Sequence, residues 1–322
     1  MCQMKSGIIL KDRVFIPDYN SHTDMLAELG ISDTRQNAER LFIRAELLPP
    51  DGDVFAPVEE WRFHVDQDIL PDWYVEQVDK DRMISAVKEW AKDHIHVGVD
   101  GLRISQGSEH YIKDCKNVVV CGNASISRVC GNASISRVCG NASISEVYGN
   151  ASISYVYDNA SISYVYDNAS ISCVYGNASI SKVYGSASIS CVYGGASISE
   201  VYDNASISEV YDNASISEVY GSASISYVYG SASISYVCGN ASISEVYGNA
   251  SISYVYGSAS ISEICGNASI SEVKGQAFIA NSPYTRWIKQ DGLTISENAT
   301  FKDNMAKTIW QAGDWELKKV GE

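Results

Sequence analysis

From Asn123 to Gly275 the chain repeats one nine-residue phrase, Asn-Ala-Ser-Ile-Ser-x-Val-Tyr-Gly, seventeen times without an insertion or deletion. So short and fixed a period constrains the fold more than any composition does, because each copy must join the next by the same geometric step. Numbering the phrase from Asn123, position two is always Ala, position four always Ile, and position seven Val except at Ile264. Ala and Ile two apart, with Ser between and after, give the period-two alternation of a strand with the apolar residues inward. Val at position seven marks a second short extended piece. Gly or Asp at position nine and Asn, Ser or Gly at position one are turn residues that tolerate or bend a left-handed backbone. Helical solenoids need longer periods and a 3.6-residue pattern, so the phrase predicts a parallel β-solenoid in which each copy buries its apolar face against the copies above and below.

Nine residues are too few to close a coil around a filled interior, which predicts two phrases, eighteen residues, per coil. The variable sixth position tests that offset. At eighteen, Arg128 lies over Glu146, Lys182 over Glu200 and Cys173 over Cys191; at twenty-seven, only Lys182 meets an acid. At ~4.8 Å between stacked strands, the array makes about 8.5 coils and a rod about 40 Å long. Ladders of Ile on Ile and Val on Val, with Ala at the corners and Asn amides stacked at the turns, should supply its stability. Its ends are a hazard, because open strand edges template aggregation unless capped.

The flanks divide the chain into an α/β N-terminal capping domain at 1–113, the solenoid at 114–283 and a C-terminal aromatic cap at 284–322. In the first, Gly7 to Pro17 reads as a strand or a hairpin around Lys11-Asp12. Ser21 to Leu29 reads as a helix capped by Ser21, with Asp24 in its first turn. Strands are expected over Arg40–Leu48 and Trp61–Ile69, separated by the turn-rich Pro49-Pro50-Asp51-Gly52-Asp53. A helix is expected from near Pro71 to about His94, packing through Met83, Val87, Trp90, Ala91 and His94. Asp114 to Gly122 keeps positions seven to nine of the phrase and reads as an adapted first rung. Beyond the array, Trp287, Phe301, Ile309, Trp310, Trp315 and Leu317 make the tail aromatic enough to fold over the last coil, and Asn298-Ala299-Thr300-Phe301 echoes the phrase.

Charge and cysteine bound the setting. The net charge is −15; residues 1–122 carry 14 basic and 22 acidic side chains, the array 4 and 11, and the remainder 6 of each. That balance argues against nucleic acid or an anionic membrane as a partner. DNA mimicry by the array is unpersuasive too, since ~40 Å of duplex presents on the order of 24 charges. No apolar run approaches the ~20 residues of a membrane span, and the first residues lack a signal-peptide core. Nine cysteines without a fixed spacing fit a reducing cytoplasm better than a disulfide framework. The twelve Asn-Ala-Ser turns, if glycosylated, would crowd a packed coil, so they point the same way, towards a bacterial or phage cytoplasmic protein.

Little in the chain carries chemistry. His64, Asp66 and Asp68 alternate onto one strand face as candidate metal ligands, but no further donor has a diagnostic spacing, and a solvated strand face followed by a turn and helix start is the favoured reading. Four turn acids, Asp158, Asp167, Asp203 and Asp212, are too few for a calcium-binding nonapeptide array. Ser at positions three and five gives a hydroxyl array like that of ice-binding solenoids, though those use threonine. There is no phosphate loop, nucleophile elbow or Cys-x-x-Cys, and no cofactor is expected. The most informative residues are the position-eight tyrosines Tyr148, Tyr157, Tyr166, Tyr175, Tyr184, Tyr193, Tyr202, Tyr211, Tyr220 and Tyr229. They flank the inward Val and should form outward aromatic ladders, either simply stabilising neighbouring coils or presenting a face for a protein partner or a second copy.

The phrase Ile-Ser-x-Val-Tyr-Gly-Asn-Ala-Ser is similar to the Val-x-Gly-Asn-Ala units of bacterial left-handed and bactofilin-like β-helices. The stretch Trp61 to Trp73 resembles the leader of bacterial and phage proteins with variable solenoid arrays. Hexapeptide acyltransferases share the solenoid principle, but with six-residue spacing and a loop-borne catalytic His that this array lacks. The resemblance implies a shape and no reaction. The expectation is a non-enzymatic structural or interaction scaffold, self-associating through its tyrosine ladders. The alternative is an effector or inhibitor whose N-terminal domain acts while the solenoid serves as spacer. A third reading, as an enzyme, requires a metal in that domain.

Overall fold

A computed structural model describes residues 5–281 and the strand segments 294–295, 300–303 and 308–311. Two compact units divide the chain: a head of residues 1–98 and 107–113, and a solenoid of 99–106 and 114–322.

The solenoid is a parallel β-helix with eighteen residues per coil. Strands one coil apart pair in register, Ser143 on Ser125, Ile144 on Ile126, Glu146 on Arg128 and Val147 on Val129, and the same offset continues to Val255 on Val273. Successive phrases alternate between two sheets, one of them thirteen-stranded. Every Ala, Ile and Val at positions two, four and seven is fully or almost fully buried. The expected pair of extended pieces is a single five-residue strand such as Ser152–Val156, kinked in the middle. Ile153 and Val156 are both interior although three apart, which strict alternation forbids. Position five drops out of the lateral pairing and shares the outer surface with position six, as at a bulge.

The turns explain positions eight to two. Ala151 N–H donates to the Tyr148 carbonyl at 3.4 Å, closing a four-residue turn. Its first central residue, Gly149, has φ +69°, where a side chain is strained. Asn150 N–H donates to the Gly131 carbonyl one coil earlier at 3.0 Å, so the turns are themselves stitched coil to coil. Asn side chains add the expected amide ladder, with Asn141 Nδ2 donating to Asn123 Oδ1 at 3.2 Å.

Coiling starts before the adapted rung at Asp114. Arg103–Ile104 pairs in parallel with Val118–Val120, and Asp100 bridges to Lys116, in a stretch with no trace of the phrase. At the other end Thr300–Asp303 stacks in parallel on Phe278–Asn281, and Thr308–Gln311 then pairs antiparallel to it. The side chains proposed for an aromatic cap, Trp287, Phe301, Ile309, Trp310, Trp315 and Leu317, lie outside the described residues.

The head is a four-stranded antiparallel sheet with helices on both faces. Its elements are β1 (Lys5–Leu10), β2 (Val14–Phe15), α1 (His22–Glu28), α2 (Arg35–Ala38), β3 (Phe42–Leu48), β4 (Arg62–Val65) and α3 (Glu76–His94), with strand order β2-β1-β3-β4. The hairpin turns at Lys11-Asp12, where Leu10 N–H donates to the Arg13 carbonyl at 2.7 Å. On one face Ile9, Ile43, Ala45 and Leu47 pack with Met83, Val87 and Trp90 of α3; on the other, Ile8 and Phe42 pack with Met25 and Leu26 of α1 and Ala38 of α2. Covering both faces explains why five successive residues of β1, Lys5 to Ile9, are buried. Gly7 sits where a Cβ would come within 2.4 Å of Ile16 and 3.0 Å of Met83, so only glycine lets these side chains pack so close. Helix α3 begins at Glu76 rather than near Pro71. Pro71 to Tyr74 instead close a turn, Tyr74 N–H to the Pro71 carbonyl at 2.9 Å, and the Asp79 carboxylate accepts from Val75 N–H at 2.9 Å to start the helix.

Candidate functional site

The tyrosines at position eight fall into two columns, because alternate phrases belong to alternate sheets. Tyr148, Tyr166, Tyr184, Tyr202 and Tyr220 form one; Tyr157, Tyr175, Tyr193, Tyr211 and Tyr229 form the other, extended by Tyr247. Consecutive ring centroids are 4.9–5.1 Å apart and nearly parallel. The strand spacing imposes that distance. Rings reach contact at roughly 3.5 Å between planes only by sliding sideways, which is the offset stacking that aromatic quadrupoles favour. Each strand leading into a tyrosine ends at position seven and the tyrosine follows it directly, so the columns run along the two turn edges of the coil.

These rings are half-buried rather than splayed into solvent. Where position six of the preceding coil is an acid, the hydroxyl meets it: Tyr220 donates to Glu200 and Tyr229 to Glu209, both at 2.9 Å. Desolvation, reinforced by these carboxylates, pushes both phenols well above their usual range, and desolvation alone leads in pushing Tyr148 up to about 12. Glu200 is held low by the Tyr220 hydroxyl and by Lys182. Tyr148, Tyr220 and Tyr229 are therefore protonated at neutral pH.

Position six decorates the outer faces. Arg128 pairs with Glu146 at 3.2 Å and Lys182 with Glu200 at 3.1 Å, the two ion pairs expected from the eighteen-residue offset. Every large apolar side chain exposed within the array is a tyrosine: Tyr155, Tyr164, Tyr227, Tyr236 and Tyr254 at position six, and Tyr256 at position eight, at 38–46% exposure. Tyr236 and Tyr254 stack on each other at 5.0 Å.

One cysteine expectation is corrected. Cys173 and Cys191 form a disulfide, where the scattered cysteine spacing had suggested none. Both occupy position six one coil apart, and the parallel register brings their Cα atoms to 4.7 Å, within the range a disulfide spans. The signal was present in the sequence as one cysteine directly over another. The turn acids also have a local use. Asp158 and Asp167 accept from the position-nine N–H of the preceding coil, at Gly140 (3.1 Å) and Gly149 (3.3 Å).

In the head, His64, Asp66 and Asp68 are all exposed, on the face of β4 and the loop that follows. The donors that converge are different: Asp66 gathers with His22 and Glu46, their ligand atoms all within 4.8 Å of one another, while His64 and Asp68 stand outside that group. A second polar cluster went unread in the sequence. Lys5 is 1% exposed, pairs with Glu109 at 2.6 Å and lies 4.4 Å over the Trp90 ring. Burial pushes its ammonium below the usual range, against the opposing pull of Glu109. His94 stacks between Trp90 and His110 and bonds Asp18 at 3.0 Å. His96 stacks on His110 in turn, and desolvation first, then the neighbouring imidazoles, lowers it to about 4. These side chains share no fixed spacing, so only the fold brings them together.

No helix among the described residues is long and apolar enough to cross a membrane. Compared with family models, curated proteins and solved structures, the chain matches none of them.

Proposed function

We propose that the chain is a non-enzymatic interaction scaffold whose solenoid associates with a second copy of itself along the tyrosine columns. The observation that carries this reading is periodicity. Half-buried rings recur about every 5 Å on each turn edge, flanked by the only large apolar side chains the array exposes. A surface with that repeat is matched rung for rung by another copy of the same array, and tyrosine is favoured at such contacts. Two acidic arrays repel, so association should strengthen as salt screens them. Sedimentation at low and high ionic strength tests the reading in the full chain. Tyr→Ser replacement at alternate column positions should abolish the assembled species, and a chain that is monomeric at all salt concentrations would refute it.

Protein partners, rather than nucleic acid or membrane, follow in this reading from the net charge of −15. A cytoplasmic, bacterial or phage setting belongs to the same proposal and rests on the Asn-Ala-Ser turns and the resemblance to bactofilin-like β-helices. The Cys173–Cys191 disulfide weighs against a reducing compartment. Thiol-trapping mass spectrometry of the protein from its native source decides between them: reduced thiols there support the cytoplasm. A second reading, an effector or inhibitor head with the solenoid as spacer, is favoured by the convergent polar side chains of the head. It predicts that head substitutions such as Asp66→Asn, and not ladder substitutions, remove biological activity.

A further inference from the structure

We infer that the head carries a divalent metal site formed by His22, Glu46 and Asp66. It lies outside the tyrosine columns and goes beyond the scaffold reading.

Three elements deliver the donors: His22 opens α1, Glu46 lies in β3, and Asp66 directly follows β4. The His22 ring is already arranged as metal-binding imidazoles are. Nε2 lies 3.3 Å from the Ala45 carbonyl, which accepts the Nε2–H hydrogen bond and leaves the Nδ1 lone pair to face outward. Nδ1 lies 3.3 Å from Asp66 Oδ2. Two ligands of one first-row ion, each at about 2.1 Å from it, sit roughly 3.0–3.4 Å apart in octahedral or tetrahedral geometry.

Charge separates this reading from a plain ion pair. A protonated His22 satisfies Asp66 but leaves Glu46, half-buried and with no side-chain hydrogen bond or ion pair among the described residues. The nearby guanidinium of Arg44 is engaged by Asp33. Two carboxylates within 4.8 Å of each other with a single positive partner repel; a neutral imidazole, two carboxylates and one divalent cation balance. One nitrogen and two carboxylate oxygens suit first-row ions of the Mn²⁺ to Zn²⁺ series over soft Cu⁺ or all-oxygen Ca²⁺. Asp66 is 55% exposed and His22 10%, so an ion can enter from the Asp66 side onto an anchored ring.

The test uses full-length chain stripped with chelator and titrated with Co²⁺, followed by visible absorption and by the melting temperature of the head. The expected result is one equivalent bound with weak d–d bands of nitrogen and oxygen ligands, displaced by Zn²⁺ but not by Mg²⁺ or Ca²⁺, and a higher head melting temperature. Asp66→Asn and Glu46→Gln should each weaken Co²⁺ binding by more than the roughly 10–100-fold that outer-shell changes produce. Asp66 is exposed, so its variant keeps the fold even where His22→Gln does not. The inference is overturned if Co²⁺ does not bind, if intense thiolate charge-transfer bands place it on the cysteines, or if both carboxylate variants bind as the parent does.

Discussion

The solenoid and the head solve the same problem in opposite ways. In the solenoid a buried Ile such as Ile198 is one of a column of identical residues, and its neighbours above and below, Ile180 and Ile216, are its own copies. In the head Met83 meets Ile9 and Ile43 once, and nothing elsewhere repeats the arrangement. Repetition makes the solenoid's energetics nearly a sum of like terms between neighbours, whereas the head depends on particular side chains filling particular spaces.

Substitutions can break or sharpen that contrast. Ile198→Asp forces a carboxylate into the dry interior, at a cost above ~4 kcal/mol. Calorimetry should show the solenoid transition broken while the head transition stays, and loss of both together would mean the units do not melt independently. Met83→Ala should cost about 2–5 kcal/mol by leaving a cavity, lowering only the head transition. Tyr202→Ser removes two stacked contacts at ~0.5–1.5 kcal/mol each and should destabilise the solenoid by about 1–3 kcal/mol in denaturant titration. Tyr155→Ser, at a side chain 46% exposed, should be close to neutral.

The pH response should separate the units further. His96 is lowered to about 4 from an unperturbed value of 6.5. Its stabilising neutral form is therefore complete above pH 6.5 and lost as pH falls towards 4, because the unfolded chain takes up the proton first. The head melting temperature should drop across that window, and His96→Gln should flatten the drop. A modest effect is expected at the turns. Gly149→Ala, at φ +69°, should cost about 1 kcal/mol. Gly149→Asp should cost less, since Asp158 already holds φ +59° at the equivalent place.

How much the sequence disclosed follows the same contrast. Ala124, Ile126 and Val129 could be placed inside because sixteen further copies said the same, and Arg128 over Glu146 with Lys182 over Glu200 favoured eighteen residues per coil over twenty-seven. The kink at positions five and six was not legible, because period-two alternation cannot put Ile and Val three apart on one face, and only the bulged strand does. The Arg103–Ile104 coil escaped notice because it shares its backbone path and none of its residues with the phrase. In the head, β1 and α3 were found from local pattern. Lys5 with Glu109, and His22 with Glu46 and Asp66, are 104, 24 and 44 residues apart, and no local rule links them. His64, Asp66 and Asp68 looked convergent because strand alternation was all the sequence offered; the sheet and α1 supply the other partners.

The two sheets read an identical phrase, and this has a genetic consequence. Slippage that adds or removes eighteen residues changes the length by one coil and preserves every column. Slippage by nine leaves the interior unchanged but sends each later copy to the opposite wall. Tandem duplication can thus lengthen the molecule stepwise without new packing, while an odd number of copies reshuffles which surface residues stand together.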